Sequence, residues 1–201
     1  MLAEGFKQLK IAVLLLLMLI VITGVIYPLI ITGLAQICFP WQANGSLLEH
    51  DGKQIGSVLI GQAFSNSGYF WSRPSATTPF AYNAALSAGS NLGPTNPDFL
   101  EAVKNRIKVL QQADENNHEK IPVDLVTTSG SGLDPDISPQ AAFYQIPRIA
   151  KARDLSVNQL KQVVQQSIED RQWGILGESR VNVLELNLAL DALSQRDLRA
   201  R

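Results

Sequence analysis

The chain carries a single cysteine, which excludes an intrachain disulfide framework. Two histidines beside that cysteine supply too few soft ligands for a structural zinc site, and no metal site is expected. Charge of one sign is equally scarce. Seventeen Lys+Arg against 18 Asp+Glu give a formal net charge of −1, which argues against the basic face of a nucleic-acid binder. The most informative absence is local: no charged residue lies between Lys10 and Glu49. What remains, at 201 residues, is enough for one ordinary domain and one extra segment.

That uncharged stretch reads IAVLLLLMLIVITGVIYPLIITGLA from Ile11 to Ala35 and exceeds the roughly 20 apolar residues that span a bilayer. As a helix it would be roughly 37 Å long, so tilt is expected. Gly24 and Gly33, with Thr23 and Thr32, mark a face on which a neighbouring helix can approach closely. Pro28 is expected to kink the helix and to free carbonyls that need partners. A cleaved signal peptide is the alternative. Its apolar core runs to only about 15 residues, although Gly33-Leu34-Ala35 has the small-x-small look of a cleavage site. Ile37 occupies the place where a lipidation signal at Cys38 needs a small residue, so Cys38 reads as an unreactive thiol near the membrane boundary.

Lys7 and Lys10 precede the span, and the first basic residue after it is Lys53. The positive-inside bias therefore places residues 1–10 in the cytoplasm and 11–35 in the membrane. A linker follows over 36–46, then an extracytoplasmic domain over 47–201. In that domain Leu47–Glu49 and Gln54–Gly61 read as strands about a turn at His50-Asp51-Gly52. Residues 62–97 are irregular and rich in Ser, Thr, Asn, Gly and Pro, a length of loop that is usually functional. Asn96-Pro97 opens a helix with Phe99, Leu100, Val103, Ile107 and Leu110 on one face. Ile121, Val123 and Leu125 alternate as a short strand. Ser138-Pro139 opens a second helix that Pro147 interrupts or kinks. Ser156 and Gln159 form a capping box for a third, with Val157, Leu160, Val163, Val164 and Ile168 as its apolar face. A strand end at Val181–Val183 and a closing helix at Leu184–Leu193 complete an α+β or mixed α/β domain.

Catalytic constellations are thin, and no catalytic residue is assigned. Ser129 or Ser131 with His118 and Asp134 would make a hydrolase triad. The run Ser129-Gly130-Ser131-Gly132-Leu133 lacks the glycine a nucleophile elbow needs two positions after Ser131, and His118 sits in a polar run. The same four residues, Ser129, Gly130, Ser131 and Gly132, could cradle a phosphate through backbone N–H groups. No lysine follows before Lys151, so a turn-rich connection is the simpler reading. Tyr69, Phe70, Arg73, Tyr82 and Asn83, followed by Ser90, Asn91, Gly93, Thr95 and Asn96, are candidates for docking a partner. The aromatics among them, with Trp71, could equally be core. Without a net basic domain, Arg148, Lys151 and Arg153 read as a solvated face or surface ion pairs.

Several of these motifs carry a resemblance. Thr23-Gly24-Val25-Ile26-Tyr27-Pro28-Leu29, Gly61-Gln62-x-Phe64, Tyr69-Phe70-x-x-Arg73-Pro74-Ser75 and Tyr82-Asn83 come first. Ser90–Pro97, Val126–Pro135, Gln145-x-x-Arg148-Ile149-Ala150 and Arg180–Leu184 follow. Together they resemble the C subunit of the bacterial Kdp potassium-transporting ATPase, from the membrane helix almost to the C-terminus. The resemblance implies an accessory subunit without hydrolytic activity of its own. Its expected partners are a channel-like K⁺-binding subunit (KdpA), a P-type ATPase subunit (KdpB), a very small membrane subunit (KdpF) and membrane lipid. It also implies a role in assembly and as a catalytic chaperone that raises ATP affinity, with ATP held mainly by the ATPase subunit and K⁺ by the channel-like one. An ATP-binding assignment to this chain itself conflicts with an extracytoplasmic domain, because the bilayer spans roughly 40 Å. A tethered hydrolase and a stand-alone anchored binding domain are the competing classes.

Overall fold

The computed structural model describes residues 2–50 and 52–200. The chain forms two compact units, Met1–Leu47 and Leu48–Arg201.

The first unit is helical. Helix α1 (Leu2–Val21) runs into a π-helical turn at Ile22–Ile26 and on into α2 (Tyr27–Cys38); a four-residue helix, α3 (Pro40–Ala43), follows. Glu4–Cys38 is long and apolar enough to cross a membrane, and the helix extends beyond both ends of the expected 11–35 segment. The π turn explains how Pro28 is accommodated. Proline lacks an N–H and its ring crowds the carbonyl four residues earlier, here that of Gly24. One wide turn before it, closed by the Tyr27 N–H on the Ile22 carbonyl, relieves that crowding. Thr23 donates its hydroxyl to the Leu19 carbonyl at 2.7 Å. A Cβ at Gly24 or Gly33 would meet nothing within 4 Å, so both faces are open. Phe39, between α2 and α3, leaves helical geometry at φ −140°. The carboxamides of Gln36 and Asn44 pair there, and Asn44 also donates to the Pro40 carbonyl at 2.6 Å.

The second unit mixes helices and sheet. Strands β1 (Leu47–His50) and β2 (Lys53–Ser57) pair as a hairpin. The long irregular segment then runs to Asn96 without helix or strand. Asn96 caps α4 (Pro97–Ala113) by accepting from the Asp98 N–H at 2.8 Å. Of the predicted apolar face of α4, Leu110 is buried, Phe99, Val103 and Ile107 are half-buried, and Leu100 is exposed.

The strand expected at 121–125 is a 3₁₀ turn, Val123–Leu125. A strand would set Val123 and Leu125 on one face, yet Val123 is 71% exposed and Leu125 is 5% exposed. Pro122 starts the turn, and the Asp124 carboxylate draws the chain back by accepting from the Ser138 N–H at 2.7 Å.

A two-residue strand, β3 (Asp136–Ile137), leads into α5 (Pro139–Arg153), capped by Ser138 accepting from the Ala141 N–H at 3.1 Å. Pro147 does not interrupt α5. Its ring lies on the exposed side of the helix, and the Phe143 carbonyl loses its helical donor there. The predicted capping box at Ser156 and Gln159 forms at the start of α6 (Val157–Gln166). Ile168, assigned above to that helix, instead opens β4 (Ile168–Glu169), because Ser167 ends the helix by bonding back to Val163 and Val164. Strand β5 (Arg180–Asn182) is central, antiparallel to β3 and to β4, with Val181 opposite both Ile137 and Ile168. Helix α7 (Val183–Ala200) closes the unit. The core lies between the β3–β5–β4 sheet and helices α5, α6 and α7, with Ile146, Ile149, Leu160, Val164, Val181 and Leu190 at most 1% exposed.

Candidate functional site

Residues 61–96 contain no regular element, so their backbone polar groups need partners from elsewhere. Side chains of α5 and α7 supply them. Asn187 accepts the Phe70 N–H at 2.8 Å and donates to the Phe70 carbonyl at 3.0 Å. Gln145 does the same for the next residue, accepting the Trp71 N–H at 2.7 Å and donating to its carbonyl at 3.2 Å. Two carboxamides thus reproduce the donor–acceptor pairing of a neighbouring strand. Phe70, pinned between them, has no exposed surface.

The basic residues of α5 extend the same grip. Arg148 is 5% exposed. It donates to the Ser67 and Tyr69 carbonyls and to Gln145 Oε1, with its guanidinium 4.1 Å from the centre of the Trp71 ring. Burial lowers its pKa to about 10, so it stays charged at neutral pH. Arg153 donates to the Gly68 carbonyl at 2.6 Å, pairs with Asp191 at 2.7 Å and lies over the Tyr69 ring. The Tyr69 hydroxyl closes the loop on Asp191 at 3.1 Å. The solvated face or surface ion pairs expected of Arg148, Lys151 and Arg153 hold for exposed Lys151 and, through Asp191, for half-buried Arg153, but not for buried Arg148. Helical spacing alone does not reveal that an irregular segment covers this side of α5.

The other edge of the segment is bound to the Gly/Ser loop at 127–135. Gly61 donates to the Leu133 carbonyl at 2.8 Å and Ala88 to the Ser131 carbonyl at 2.9 Å. Ser75 donates to the Gly132 carbonyl at 2.6 Å and accepts from the Tyr82 N–H at 3.0 Å. Arg73 pairs with Asp134 at 2.9 Å, and its Nε is buried without a hydrogen-bond partner. The Tyr82 hydroxyl donates to the Arg73 carbonyl, and burial raises its pKa. Asn83 folds its own turn, donating to the Thr78 carbonyl and accepting from the Ala85 N–H. Ser90 accepts from the Thr128 hydroxyl at 3.2 Å. Asn91, Gly93 and Thr95 are exposed, whereas Tyr69, Arg73, Tyr82, Asn83, Ser90 and Asn96 are half-buried.

Within the loop, Ser129 is buried and its hydroxyl accepts from the Gly132 N–H at 3.0 Å. The Ser131 hydroxyl accepts from the Leu133 N–H at 3.1 Å. The Gly132 amide of the candidate cradle, and the Leu133 amide beside it, are thus turned onto the loop's own side chains. Gly130 and Ser131 are exposed. The triad alternative is not assembled. Asp134 serves Arg73 and the Asp136 N–H, Ser129 serves Gly132, and His118 is exposed in the turn after α4.

Asp136, on β3, accepts from Arg180 at 3.0 Å and from Asn182 at 3.3 Å. Burial is the main cause that raises its pKa to about 6; Arg180 opposes the rise, while Asp134 and Glu169 add to it. Asn182 also donates to the Val58 carbonyl at 2.9 Å, tying β5 to the segment after β2. Sequence reasoning left Gln145, Arg148, Asn182 and Asn187 without individual roles. Their signal is a polar residue on a buried helix face or in a buried strand.

The family profile described as "KdpC: K+-transporting ATPase, c chain" matches residues 9–192. A protein of Methylococcus capsulatus named "Potassium-transporting ATPase KdpC subunit" is 59% identical over 92% of this chain and 97% of its own length. A protein of the same name from Polynucleobacter asymbioticus is 58% identical over 87% of this chain and 92% of its own. One from Geobacter metallireducens, also of that name, is 54% identical over 94% of this chain and 99% of its own. With matches that take in the long apolar helix, the irregular segment, the Gly/Ser loop and the β5–α7 junction alike, the chain belongs to the KdpC family of K⁺-transporting ATPase subunits.

Proposed function

We propose that the chain is a non-catalytic accessory subunit of the ATP-driven potassium importer, anchored by its one long apolar helix, with residues 47–201 on the outer side of the plasma membrane. It assembles with the channel-like, P-type ATPase and small membrane subunits. It raises the ATP affinity of the ATPase subunit indirectly, by coupling through the membrane subunits. The observation that carries this reading is the state of the Gly/Ser loop: its Ser129 and Ser131 hydroxyls accept from two of its own amides, and its carbonyls accept from residues 61–96. A loop so engaged supports a structural part in a docking surface over a phosphate cradle. Lys7 and Lys10, against an uncharged outer flank, support the orientation. The exposed stretch Asn91–Thr95 and the half-buried Tyr69, Tyr82 and Asn83 are the candidate contacts.

The test is potassium-stimulated ATPase activity of the purified complex with and without this chain, recorded with its ATP dependence and subunit composition. An intact complex with weakened ATP affinity fits modulation, and a complex that falls apart fits assembly. Full activity and full composition without the chain would refute both. Orientation is read separately, from cysteines placed at Ser131 and Gln8 in a Cys38-free chain. An impermeant thiol reagent added outside should label only the first.

A further inference from the structure

We propose that the groove between α4 and residues 64–74 is a binding site for a small organic carboxylate with an apolar body, received by Arg106. The groove holds about 420 Å³, within the range of small-molecule sites. Phe64, Trp71 and Pro74 form one wall, Val109 and Leu110 of α4 another, and Leu125 of the 3₁₀ turn a third. The α4 residues that line it, Ala102, Asn105, Arg106, Val109 and Leu110, recur at helical spacing and so share one face. Arg106 is the one charged residue among them.

Its Nη1 donates to the Val126 carbonyl at 2.8 Å, which fixes the side chain, and its other nitrogens have no hydrogen-bond partner among the described residues. Ser72, the neutral hydroxyl in the wall, already donates to the Gln62 carbonyl at 2.9 Å. A fixed, half-buried cation in an apolar wall gains more from an anion than an exposed one does, because the local dielectric is low. The planar guanidinium matches a carboxylate, and the apolar walls match the body that carries it. A doubly charged phosphate would leave one charge uncompensated, and a cation would be repelled.

The test uses the full chain in dodecyl maltoside micelles. The sequence has three tryptophans. Trp41→Phe with Trp173→Phe leaves Trp71, in the groove wall, as the only indole. 3-(4-Bromophenyl)propionate, whose bromine quenches an indole on contact, should quench it saturably. The matching alcohol should bind at least about tenfold more weakly, the worth of one charge-assisted hydrogen bond. Arg106→Met should abolish that difference, and Arg106→Lys should keep part of it. Val109→Glu, at an exposed position on the groove wall, should weaken the acid more than the alcohol. No saturable quenching below about 10 mM, an affinity too weak to matter, would overturn the proposal. So would equal affinity for acid and alcohol in the parent chain, or quenching unchanged by the Arg106 and Val109 substitutions.

Discussion

Asn187 holds both backbone polar groups of Phe70 across 117 residues of sequence, its Oδ1 on the N–H and its Nδ2 on the carbonyl. The two groups are buried with a side chain that has no exposed surface, so water cannot replace the carboxamide. Asn187→Leu keeps the volume and removes both bonds. Leaving two buried backbone groups unpartnered should cost about 2–4 kcal/mol. Thermal unfolding of the full chain in micelles should show a midpoint lowered by about 5–10 °C. Asn187→Asp keeps one acceptor for the Phe70 N–H but sets a carboxylate against its carbonyl, so it should not restore the midpoint.

Arg148 makes the parallel case for charge. Arg148→Met leaves the Ser67 and Tyr69 carbonyls and Gln145 Oε1 without their donor and uncovers the Trp71 ring. A loss of about 3 kcal/mol is expected in the same measurement. Arg148→Lys should recover little, because an ammonium cannot stack flat on an indole while donating in several directions. Full recovery by lysine would show that charge alone holds the segment.

The contrast between what the sequence made legible and what it did not is physical. Caps depend on residues two or three apart, so Asn96, Ser138 and Ser156 could be placed from the sequence, and each performs as expected. The hairpin at β1 and β2 and the absence of regular structure after it follow from local composition in the same way. Failures arise where a distant partner decides. Ile168 fits a helical apolar face, yet its place opposite Val181 depends on a strand more than ten residues on. Ile121, Val123 and Leu125 alternate, but Pro122 and the Asp124 bond to Ser138 turn that alternation into a 3₁₀ turn. Arg148 looks solvated until residues 67–71 are laid over it. Asn187 was the available cue, since an amide among Val183, Leu186 and Leu190 on a buried face must bond to something outside its helix.

The Gly/Ser loop offers a paired test in which neighbouring glycines diverge. Gly132 has φ +68°, and a Cβ there would sit 2.5 Å from the Ala88 carbonyl oxygen. Gly132→Ala therefore combines left-handed strain with a backbone clash and should destabilise by more than about 1 kcal/mol. Gly130 lacks a positive φ, and a Cβ there would meet nothing within 4 Å. Gly130→Ala should be neutral in unfolding. If Gly130→Ala nevertheless weakens assembly of the complex while Gly132→Ala weakens the fold, the exposed crest of this loop is a contact surface.

Asp136 gives stability a pH dependence whose sign follows from its surroundings. Its pKa is raised from 3.8 to about 6, chiefly by burial. In the window between those values the folded state therefore binds a proton that the unfolded state has released. The contribution is fully present below about pH 4 and is lost as pH rises through about 6. Other carboxylates contribute slopes of their own, so the informative quantity is the difference between two chains. Asp136→Asn removes the titration while keeping an acceptor for Arg180, which is also held by Glu169 at 2.7 Å. Relative to the parent, this variant should gain stability steadily between pH 4 and pH 6 and show no further relative change above pH 7. Denaturant unfolding of the full chain at a series of pH values measures it. A difference that runs the other way would mean that the Arg180 ion pair, and not burial, governs this carboxylate.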